Sequence, residues 1–138
     1  MIYQEIKGDL FTAPTDFYLA HCISADYKLG AGIAVQFDKR YNMRRKLNRI
    51  GYVGFPKVLL VDNVFNLITK EKYYHKPTNL TMCMVLMDMC RMCEERNIDK
   101  IAMPKIGCGL DRLQWGEVSQ MIKDIFKDTD IEIRVYYK

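Results

Sequence analysis

With 138 residues, 49% hydrophobic and 28% charged, the chain has the composition of one soluble globular domain with a single substantial core. Its net charge of +4 suits an anionic small ligand and falls short of the strongly basic surface of a dedicated nucleic-acid binder. No apolar run approaches the roughly 20 residues of a transmembrane helix, so we expect no association with a membrane.

The first third of the chain predicts two strands and a helix. Residues 1–7 form a strand pattern at once, without the features of a secretory signal peptide, and we expect a cytoplasmic protein. Gly8-Asp9-Leu10-Phe11 breaks this strand. The nearly continuous apolar run Phe17–Ile23 is typical of a central strand covered on both faces. Gly30-Ala31-Gly32 then leads into a helix over Ile33–Tyr41.

The middle of the chain predicts a short helix, two strands and a long helix. The short helix is Met43–Ile50, and the strands Lys57–Asp62 and Val64–Thr69 flank a turn. Pro77-Thr78-Asn79 is a helix-start signal before a long helix over Leu80–Glu95. Its methionines either form an adaptable binding surface or, in the interpretation we prefer, pack against a sheet. They are Met82, Met84, Met87, Met89 and Met92.

The last third predicts a strand over Ile101–Met103, a helix over Gln114–Phe126 and a strand over Ile131–Tyr137. The alternation of strands and helices predicts a single α/β domain over residues 1–138. Its architecture is a three-layer α/β/α sandwich with a mixed central sheet. Ligands of such sheets bind at the carboxyl ends of strands, where several loops of this chain are expected to converge.

The segment Met103–Arg112 is the most informative motif. A buried strand runs into a Gly-x-Gly turn and then a helix, so backbone N–H groups can point outward together and bind an anion. Asp111 is unusual there because a carboxylate repels an anion. Its presence therefore suggests a catalytic role rather than phosphate binding alone. The alternative is an ordinary tight turn in which Asp111 caps the following helix.

Neither the cysteines nor the basic residues indicate a separate site. The cysteines are odd in number and Cys90-x-x-Cys93 lies within a helix, which favours buried free thiols over disulfides, zinc or a redox motif. The five are Cys22, Cys83, Cys90, Cys93 and Cys108. The basic residues concentrated between positions 39 and 49 favour a solvated helix face, with a nucleic-acid groove as the alternative.

Several motifs, in chain order, resemble those of the macrodomain family. Gly8-Asp9-Leu10-Phe11 lies where macrodomains carry a Gly-Asp-aliphatic motif, and the run from His21 to Ala34 is similar to their first ligand loop. Leu67–Lys70, His75–Thr78 and Pro104–Trp115 complete the set. Together they resemble the branch of terminal ADP-ribose protein glycohydrolases, also called O-acyl-ADP-ribose deacylases. The similarity covers essentially the whole chain.

The resemblance implies a pocket for ADP-ribose or O-acyl-ADP-ribose. Adenine is expected near Asp9 and Leu10, and the pyrophosphate on N–H groups of the two Gly-containing loops. Ser24 would donate to the distal ribose or a phosphate. The implied ligand-binding residues are Asp9, Leu10, Ser24, Gly30, Gly32, Ile33, Ala34, Thr69, Ile106, Gly107, Cys108, Gly109, Leu110 and Tyr136.

The resemblance also implies the catalytic residues Lys70 and Asp111. Other macrodomain hydrolases use an Asn-rich first loop to order a water, and the loop Ser24–Gly32 lacks that asparagine. A free lysine amine, favoured by partial burial, would attack the anomeric carbon of the distal ribose and form an adduct through a Schiff base. Asp111 would act as general base, and no metal or cofactor is needed. Without the resemblance, Lys70 is more simply a solvent-exposed lysine at a strand end.

Three functions remain open from the sequence. The first is a hydrolase that removes ADP-ribose from Asp and Glu side chains of proteins and deacylates O-acyl-ADP-ribose. The second is a reader that binds ADP-ribose without turnover, for which neither Lys70 nor Asp111 would be needed. The third is an antitoxin-like enzyme that acts on ADP-ribosylated DNA. Nothing in the sequence demands more than a monomer.

Overall fold

The computed structural model describes residues 1–138, and every predicted strand and helix is present within one residue of its predicted limits. A single-turn 3-10 helix over Leu10–Thr12 follows the first strand. The strands are β1 (Ile2–Lys7), β2 (Tyr18–Ser24), β3 (Lys57–Val61), β4 (Val64–Lys70), β5 (Lys100–Pro104) and β6 (Glu132–Tyr137). The helices are α1 (Ile33–Tyr41), α2 (Met43–Ile50), α3 (Asn79–Arg96) and α4 (Trp115–Phe126).

The strands form one six-stranded mixed sheet in the order β1-β6-β5-β2-β4-β3. Only β3 is antiparallel to its neighbour, so the other five strands end at the same edge of the sheet. Helices α1 and α2 cover one face, and α3 and α4 cover the other. This architecture confirms the predicted three-layer α/β/α sandwich.

The sheet has its topological switch point between β2 and β5. The chain leaves β2 toward β4 and β3, whereas it leaves β5 in the opposite direction, toward β6. The two strands pair only at their amino ends, through Tyr18 with Ile101 and Leu19 with Ala102. They therefore separate toward their carboxyl ends, which creates the crevice where ligands of open α/β sheets bind.

Helix α3 packs one face against the sheet and begins at a capping box. The Thr78 hydroxyl accepts from the N–H of Thr81 at 3.1 Å, and the Thr81 hydroxyl accepts from the N–H of Thr78 at 3.1 Å. This confirms the predicted helix start, and such caps contribute about 1 kcal/mol.

Three of the five methionines of α3 confirm the packing prediction and two contradict it. Met82, Met89 and Met92 are buried against the sheet. Met84 and Met87 lie on the opposite side of the helix, where their side chains are 47% and 57% exposed. The sequence prediction was wrong for these two because a helix against a sheet buries only one stripe of its surface.

All five cysteines are free, and Cys90 and Cys93 are buried as predicted, whereas Cys22, Cys83 and Cys108 are only partly buried. Burial raises the pKa of both thiols, to about 11 for Cys90 and about 12 for Cys93. None of the helices combines the length and the hydrophobicity that a membrane crossing requires.

A buried polar pair joins the adjacent strands β2 and β4. His21 Nε2 lies 2.7 Å from Asn66 Oδ1, and the imidazole stacks on Phe37 at a centroid distance of 3.9 Å. The Nδ1 atom of His21 is buried without a partner. Because burial disfavours the imidazolium, the pKa of His21 falls from 6.5 to about 4.

The depressed pKa of His21 predicts acid destabilisation. Below pH 6.5 the unfolded chain binds a proton at this position that the native state excludes, so the free energy of unfolding decreases as the pH falls toward 4. Urea denaturation at several pH values should show the wild type losing about 3 kcal/mol more than His21→Gln between pH 7 and pH 4. Equal losses in the two proteins would show that His21 does not carry this linkage.

Candidate active site

The carboxyl edge of the sheet brings the two predicted catalytic residues into contact. Lys70 ends β4, and Asp111 lies in the loop that follows β5, yet Lys70 Nζ donates to Asp111 Oδ1 at 2.6 Å. Because β2 lies between β4 and β5, the lysine side chain reaches across the end of β2 to the far side of the crevice. Each side chain is 13% exposed. The pair is therefore shielded from bulk water but open to a small ligand.

Asp111 does not cap the helix that follows it. The N-cap of α4 is Gln114, and this helix start has no side-chain cap. The alternative role weighed for Asp111 from the sequence was therefore wrong: its carboxylate is directed at Lys70. An ion pair this close and this protected has lost much of its water, so its charges interact more strongly than a surface pair.

Two thiols surround the ion pair without competing with it as nucleophiles. Burial raises the pKa of Cys22 far above its usual value, and the nearby Asp111 carboxylate raises it further. Burial likewise raises the pKa of Cys108, whose Sγ donates to the Ile106 carbonyl at 3.2 Å. A neutral thiol is a weak nucleophile, so neither cysteine competes with Lys70, the nucleophile predicted from the sequence.

The loop after β5 presents unused N–H groups at the same edge. Hydrogen bonds from Cys108 N to the Lys105 carbonyl and from Leu113 N to the Gly107 carbonyl shape the turn. Between them, the N–H groups of Gly109, Leu110 and Asp111 have no acceptor within the protein. Such an arrangement of free donors is typical of an anion-binding nest.

The loop between β2 and α1 presents a second set of free donors. Gly32, the N-cap of α1, has a φ of 61° and no side-chain cap. The N–H groups from Gly30 to Ala34 have no acceptor within the protein. The positive end of the α1 dipole adds to their attraction for an anion. Both loops with unpaired N–H groups lie at one edge of the sheet, and binding of a diphosphate by them stays a prediction.

Buried side chains hold the first loop in an unusual backbone conformation. Tyr27 and Leu29 have positive φ values of 54° and 47°, which cost energy for residues with a Cβ atom. Both side chains are buried, and the Tyr27 hydroxyl donates to the Gly51 carbonyl at 2.8 Å. The loop is therefore held by its anchors in the shape that exposes its N–H groups.

The residues predicted for the adenine end lie together beside β1 and β6. Asp9 caps the 3-10 helix, and its Oδ1 accepts from Phe11 N at 3.0 Å, which leaves the other carboxylate oxygen for a ligand. Leu10 and Tyr136 are both almost fully buried and belong to the same core cluster. The Gly8 N–H donates to the Tyr137 carbonyl at 2.7 Å and fixes this loop to the end of β6.

Ser24 and Thr69, two polar residues predicted to bind ligand, differ in whether their hydroxyl groups have a hydrogen-bond partner. The Ser24 hydroxyl donates to Asp26 Oδ1 at 2.5 Å, so its hydrogen is engaged within the protein and only its lone pairs remain for a ligand. Thr69, next to Lys70, is 1% exposed, and its hydroxyl is buried without a partner. This hydroxyl is therefore enclosed by the protein and is not open to a ligand.

Two contacts of the segment after β4 were not predicted from the sequence. Asp26 Oδ2 accepts from the Tyr73 N–H at 2.9 Å, and Lys76 Nζ donates to the Leu110 carbonyl at 2.6 Å. Burial acts to raise the pKa of Asp26, but hydrogen bonds from Ser24, Tyr73 and Lys28 hold it below its usual value. The only sequence signal was the position of Asp26 two residues before Lys28, typical of an Asx-turn.

Two basic side chains of the segment between residues 39 and 49 make contacts within the protein. Lys46 Nζ is paired with Asp62 Oδ2 at 2.5 Å, in the turn between β3 and β4, at the opposite edge of the sheet from Lys70. The Arg40 guanidinium lies over the Phe11 ring at 4.1 Å. Arg44, Arg45 and Arg49 are exposed, as predicted for a solvated helix face, and the nucleic-acid groove stays a prediction.

Of the two glycines in the loop after β5, only Gly107 stands at a position that requires glycine. Gly107 has a φ of 74°, and a Cβ there would lie 2.6 Å from the Met82 Cε atom. We expect Gly107→Ala to lower the free energy of unfolding by about 1–2 kcal/mol from the backbone conformation alone. Gly109→Ala is the matched control, because no atom lies within 4 Å of its added Cβ. Equal denaturation midpoints for the two variants would contradict this account.

No group of three or more His, Cys, Asp or Glu side chains is arranged to hold a metal ion.

No protein-family model matches the chain. Among curated proteins, it is 46% identical over 134 residues to the ADP-ribose glycohydrolase OARD1 of Homo sapiens, covering 95% of this chain and 88% of that protein. It is 30% identical over 144 residues to the DNA ADP-ribosyl glycohydrolase of Mycobacterium tuberculosis, covering 94% of this chain and 40% of that protein.

Solved structures show the same fold. The macrodomain of Mycobacterium tuberculosis DarG superimposes with a TM-score of 0.89 at 27% identity, covering 99% of this chain and 98% of that one. The macrodomain of Thermus aquaticus DarG gives a TM-score of 0.87 at 23% identity, with 99% of both chains covered. Thermosipho africanus DarTG in complex with ADP-ribose gives 0.80 at 16% identity, covering 94% of this chain and 39% of that one.

Proposed function

The chain belongs to the macrodomain family, in the branch of the ADP-ribose glycohydrolase OARD1, and we propose on this basis that it is an ADP-ribosyl hydrolase. Its proposed substrates are proteins that carry ADP-ribose on Asp or Glu side chains and small O-acyl-ADP-ribose esters. Both carry an ester of a carboxylic acid on the distal ribose, and the mechanism below applies to an ester at C1″.

The observation that carries this proposal is the contact between Lys70 and Asp111. A nucleophile and a base must lie within hydrogen-bond reach of each other, and their separation of 2.6 Å meets that requirement. A reader needs neither group, since the free N–H groups of the two loops would suffice to bind a diphosphate. The placement of both side chains over the crevice therefore favours turnover over simple binding.

In the proposed mechanism, Asp111 takes a proton from the Lys70 ammonium, and the amine attacks C1″ of the distal ribose. The C1″–O bond to the acyl group breaks with its electron pair, and the carboxylate leaves. Asp111 passes its proton to the departing carboxylate and is again a base. One N–H proton of the adduct then moves to O4″ as the C1″–O4″ bond breaks, and this ring opening gives a protonated Schiff base between Lys70 and ADP-ribose. Asp111 activates a water that adds to C1″, after which the C1″–N bond breaks and the lysine amine and ADP-ribose are released.

Parallel incubation with glutamate-linked, serine-linked and DNA-linked ADP-ribose tests the proposed substrate class. The proposal expects release of ADP-ribose from the glutamate-linked substrate and not from the serine-linked one, because the serine ether has a far poorer leaving group than a carboxylate. Equal release from the serine-linked and glutamate-linked substrates would contradict a mechanism that depends on a carboxylate leaving group.

Binding of free ADP-ribose is a separate prediction. The two loops with unpaired N–H groups, together with the free oxygen of Asp9, are expected to give micromolar affinity, roughly −8 kcal/mol. Isothermal titration calorimetry measures this directly. No heat and no thermal shift at millimolar ADP-ribose would exclude the proposed pocket.

ADP-ribosylated DNA is a second candidate substrate, favoured by the aromatic residues that follow Lys70. Tyr73 and Tyr74 are exposed, with rings in a T-shaped contact at 5.3 Å, and exposed tyrosines can stack with unpaired bases. Relatives at 30% identity are named DNA ADP-ribosyl glycohydrolase. Under this proposal, Tyr74→Ala should release ADP-ribose from DNA more slowly than the wild type and should turn over the glutamate-linked substrate at the wild-type rate.

We further propose that the protein acts as a cytoplasmic monomer. All five cysteines are free, as is typical of proteins in a reducing compartment. Every residue of the candidate site comes from one chain, so turnover requires no second copy. Sedimentation at micromolar concentration should give a single species near 16.2 kDa.

A further inference from the structure

We propose that Asp26 is a positioning residue for the reaction: its carboxylate fixes the chain just beyond Lys70 and thereby places the lysine amine for attack. This inference rests on the proposed function. It concerns a residue that touches neither Lys70 nor Asp111 with its side chain, and that acts through the backbone of Tyr73.

The Asp26 carboxylate is saturated by contacts within the protein. Oδ1 accepts from the Ser24 hydroxyl at 2.5 Å and from the Lys28 N–H at 3.2 Å. Oδ2 accepts from the Tyr73 N–H at 2.9 Å. The first two bonds close a local turn, but the third joins residues 47 apart in sequence and is not needed for that turn. A carboxylate with both oxygens engaged in this way orients protein groups rather than a ligand.

The same short segment also holds the backbone of Lys70. The Ala25 N–H donates to the Lys70 carbonyl at 2.9 Å, where the pairing of β2 and β4 shifts its register between Ile23 and Ser24. Lys70 is thus held at its own carbonyl by Ala25 and three residues later by Asp26. The two fixed points define the direction in which the chain leaves β4.

This direction matters because Lys70 must reach across the crevice. Its amine meets Asp111 Oδ1 at 2.6 Å, so a shift of the Lys70 backbone would change this distance. Attack on C1″ requires similar precision, since a misplacement of about 1 Å can cost about 100-fold in rate. The N–H groups of the loop after β5 lie on another segment, and those of Gly30 to Ala34 are held in place by the buried side chains of Tyr27 and Leu29. Loss of the bond between Asp26 and the Tyr73 N–H should therefore affect the chemical step more than ADP-ribose binding.

The principal test is Asp26→Asn, which keeps the size of the side chain but replaces one acceptor oxygen with a donor. The amide cannot accept from Tyr73 N, Lys28 N and the Ser24 hydroxyl together, so at least one bond is lost. We expect kcat for glutamate-linked ADP-ribose to fall about 10- to 100-fold. The Kd for ADP-ribose should change by less than about threefold, and borohydride trapping of Lys70 should slow in parallel with kcat.

The matched control is Asp38→Asn. Asp38 Oδ1 accepts from the Arg44 N–H at 3.0 Å, so the same substitution removes a carboxylate from the same kind of bond away from the crevice. This variant should keep the wild-type kcat. Hydrogen exchange at the Tyr73 amide gives a readout independent of activity, and it should accelerate in Asp26→Asn and not in Asp38→Asn.

Each outcome decides the inference. An unchanged kcat in Asp26→Asn, or a loss of ADP-ribose affinity that accounts for the whole loss of activity, would overturn it. Asp26→Glu serves as a second variant that keeps the charge; if both variants unfold below the assay temperature, the role of Asp26 is in folding and the inference also fails. If the wild type itself neither turns over nor traps at Lys70, the proposed function has failed, which is distinguishable from failure of the Asp26 variants alone.

Discussion

Lys70→Ala is expected to reduce turnover of glutamate-linked ADP-ribose by about 1000-fold or more while leaving ADP-ribose binding largely intact. The reason is that Lys70 is the proposed nucleophile, whereas the phosphates are expected on backbone N–H groups of other residues. Single-turnover kinetics and calorimetry measure the two quantities separately. Wild-type rates in this variant would show that the nucleophile is wrongly assigned.

Removal of Lys70 also leaves Asp111 as an unpaired carboxylate that is only 13% exposed, which destabilises the fold. Lys70→Arg separates this effect from catalysis, because arginine keeps the ion pair but does not form a Schiff base. We expect the arginine variant to fold normally and to be as inactive as the alanine variant. Lys46→Ala, which breaks the exposed ion pair with Asp62 at the opposite edge, should keep the wild-type activity.

Borohydride trapping provides direct chemical support for the same assignment. Reduction of a Schiff base during turnover should leave ADP-ribose covalently bound to Lys70, detectable by mass spectrometry of peptides. The adduct should be absent from both Lys70 variants. An adduct on a different lysine, such as Lys72 or Lys76, would move the nucleophile to that residue.

The elements of the fold could be predicted because their patterns are local. The continuous apolar run before Ser24 and the helix-start signal around Thr78 each determine a strand or a helix within a few residues. The position of the ligand loops also followed, since parallel strands end at one edge of a sheet. The exposure of Met84 and Met87 could not be predicted from their residue type, because methionine is used on both sides of a helix.

The contacts that define the site depend on topology and not on local pattern. Lys70 and Asp111 are 41 residues apart, and they meet because β2 and β5 separate toward their carboxyl ends. Family resemblance indicated the two residues, but only the structure shows the distance between them. The bond from Tyr73 N to Asp26 has no sequence signature at all, because one partner is a backbone N–H that every residue except proline carries.

Asp111→Ala is expected to lose turnover through a step that follows or accompanies attack. A general base contributes about 100- to 10,000-fold, and the base for both the Lys70 ammonium and the resolving water is assigned to Asp111. The adduct between Lys70 and ADP-ribose should therefore persist longer than in the wild type if attack still occurs. Borohydride trapping at several times after mixing measures its lifetime.

The affinity for ADP-ribose should be unchanged or higher in Asp111→Ala. An unchanged or higher affinity together with lost turnover identifies Asp111 as a catalytic residue. The substitution removes a negative charge beside the expected pyrophosphate and frees the Lys70 ammonium, and both changes attract an anion. A purely structural residue would behave in the opposite way: its loss would lower the melting temperature and weaken binding, while substrate that did bind would react at the normal rate. Asp62→Asn controls for the loss of a carboxylate from an ion pair with lysine. A single-turnover assay at saturating substrate and a thermal melt of each variant separate the two roles. Only a catalytic Asp111 predicts a variant that is folded and binds ADP-ribose well but does not release it from the substrate.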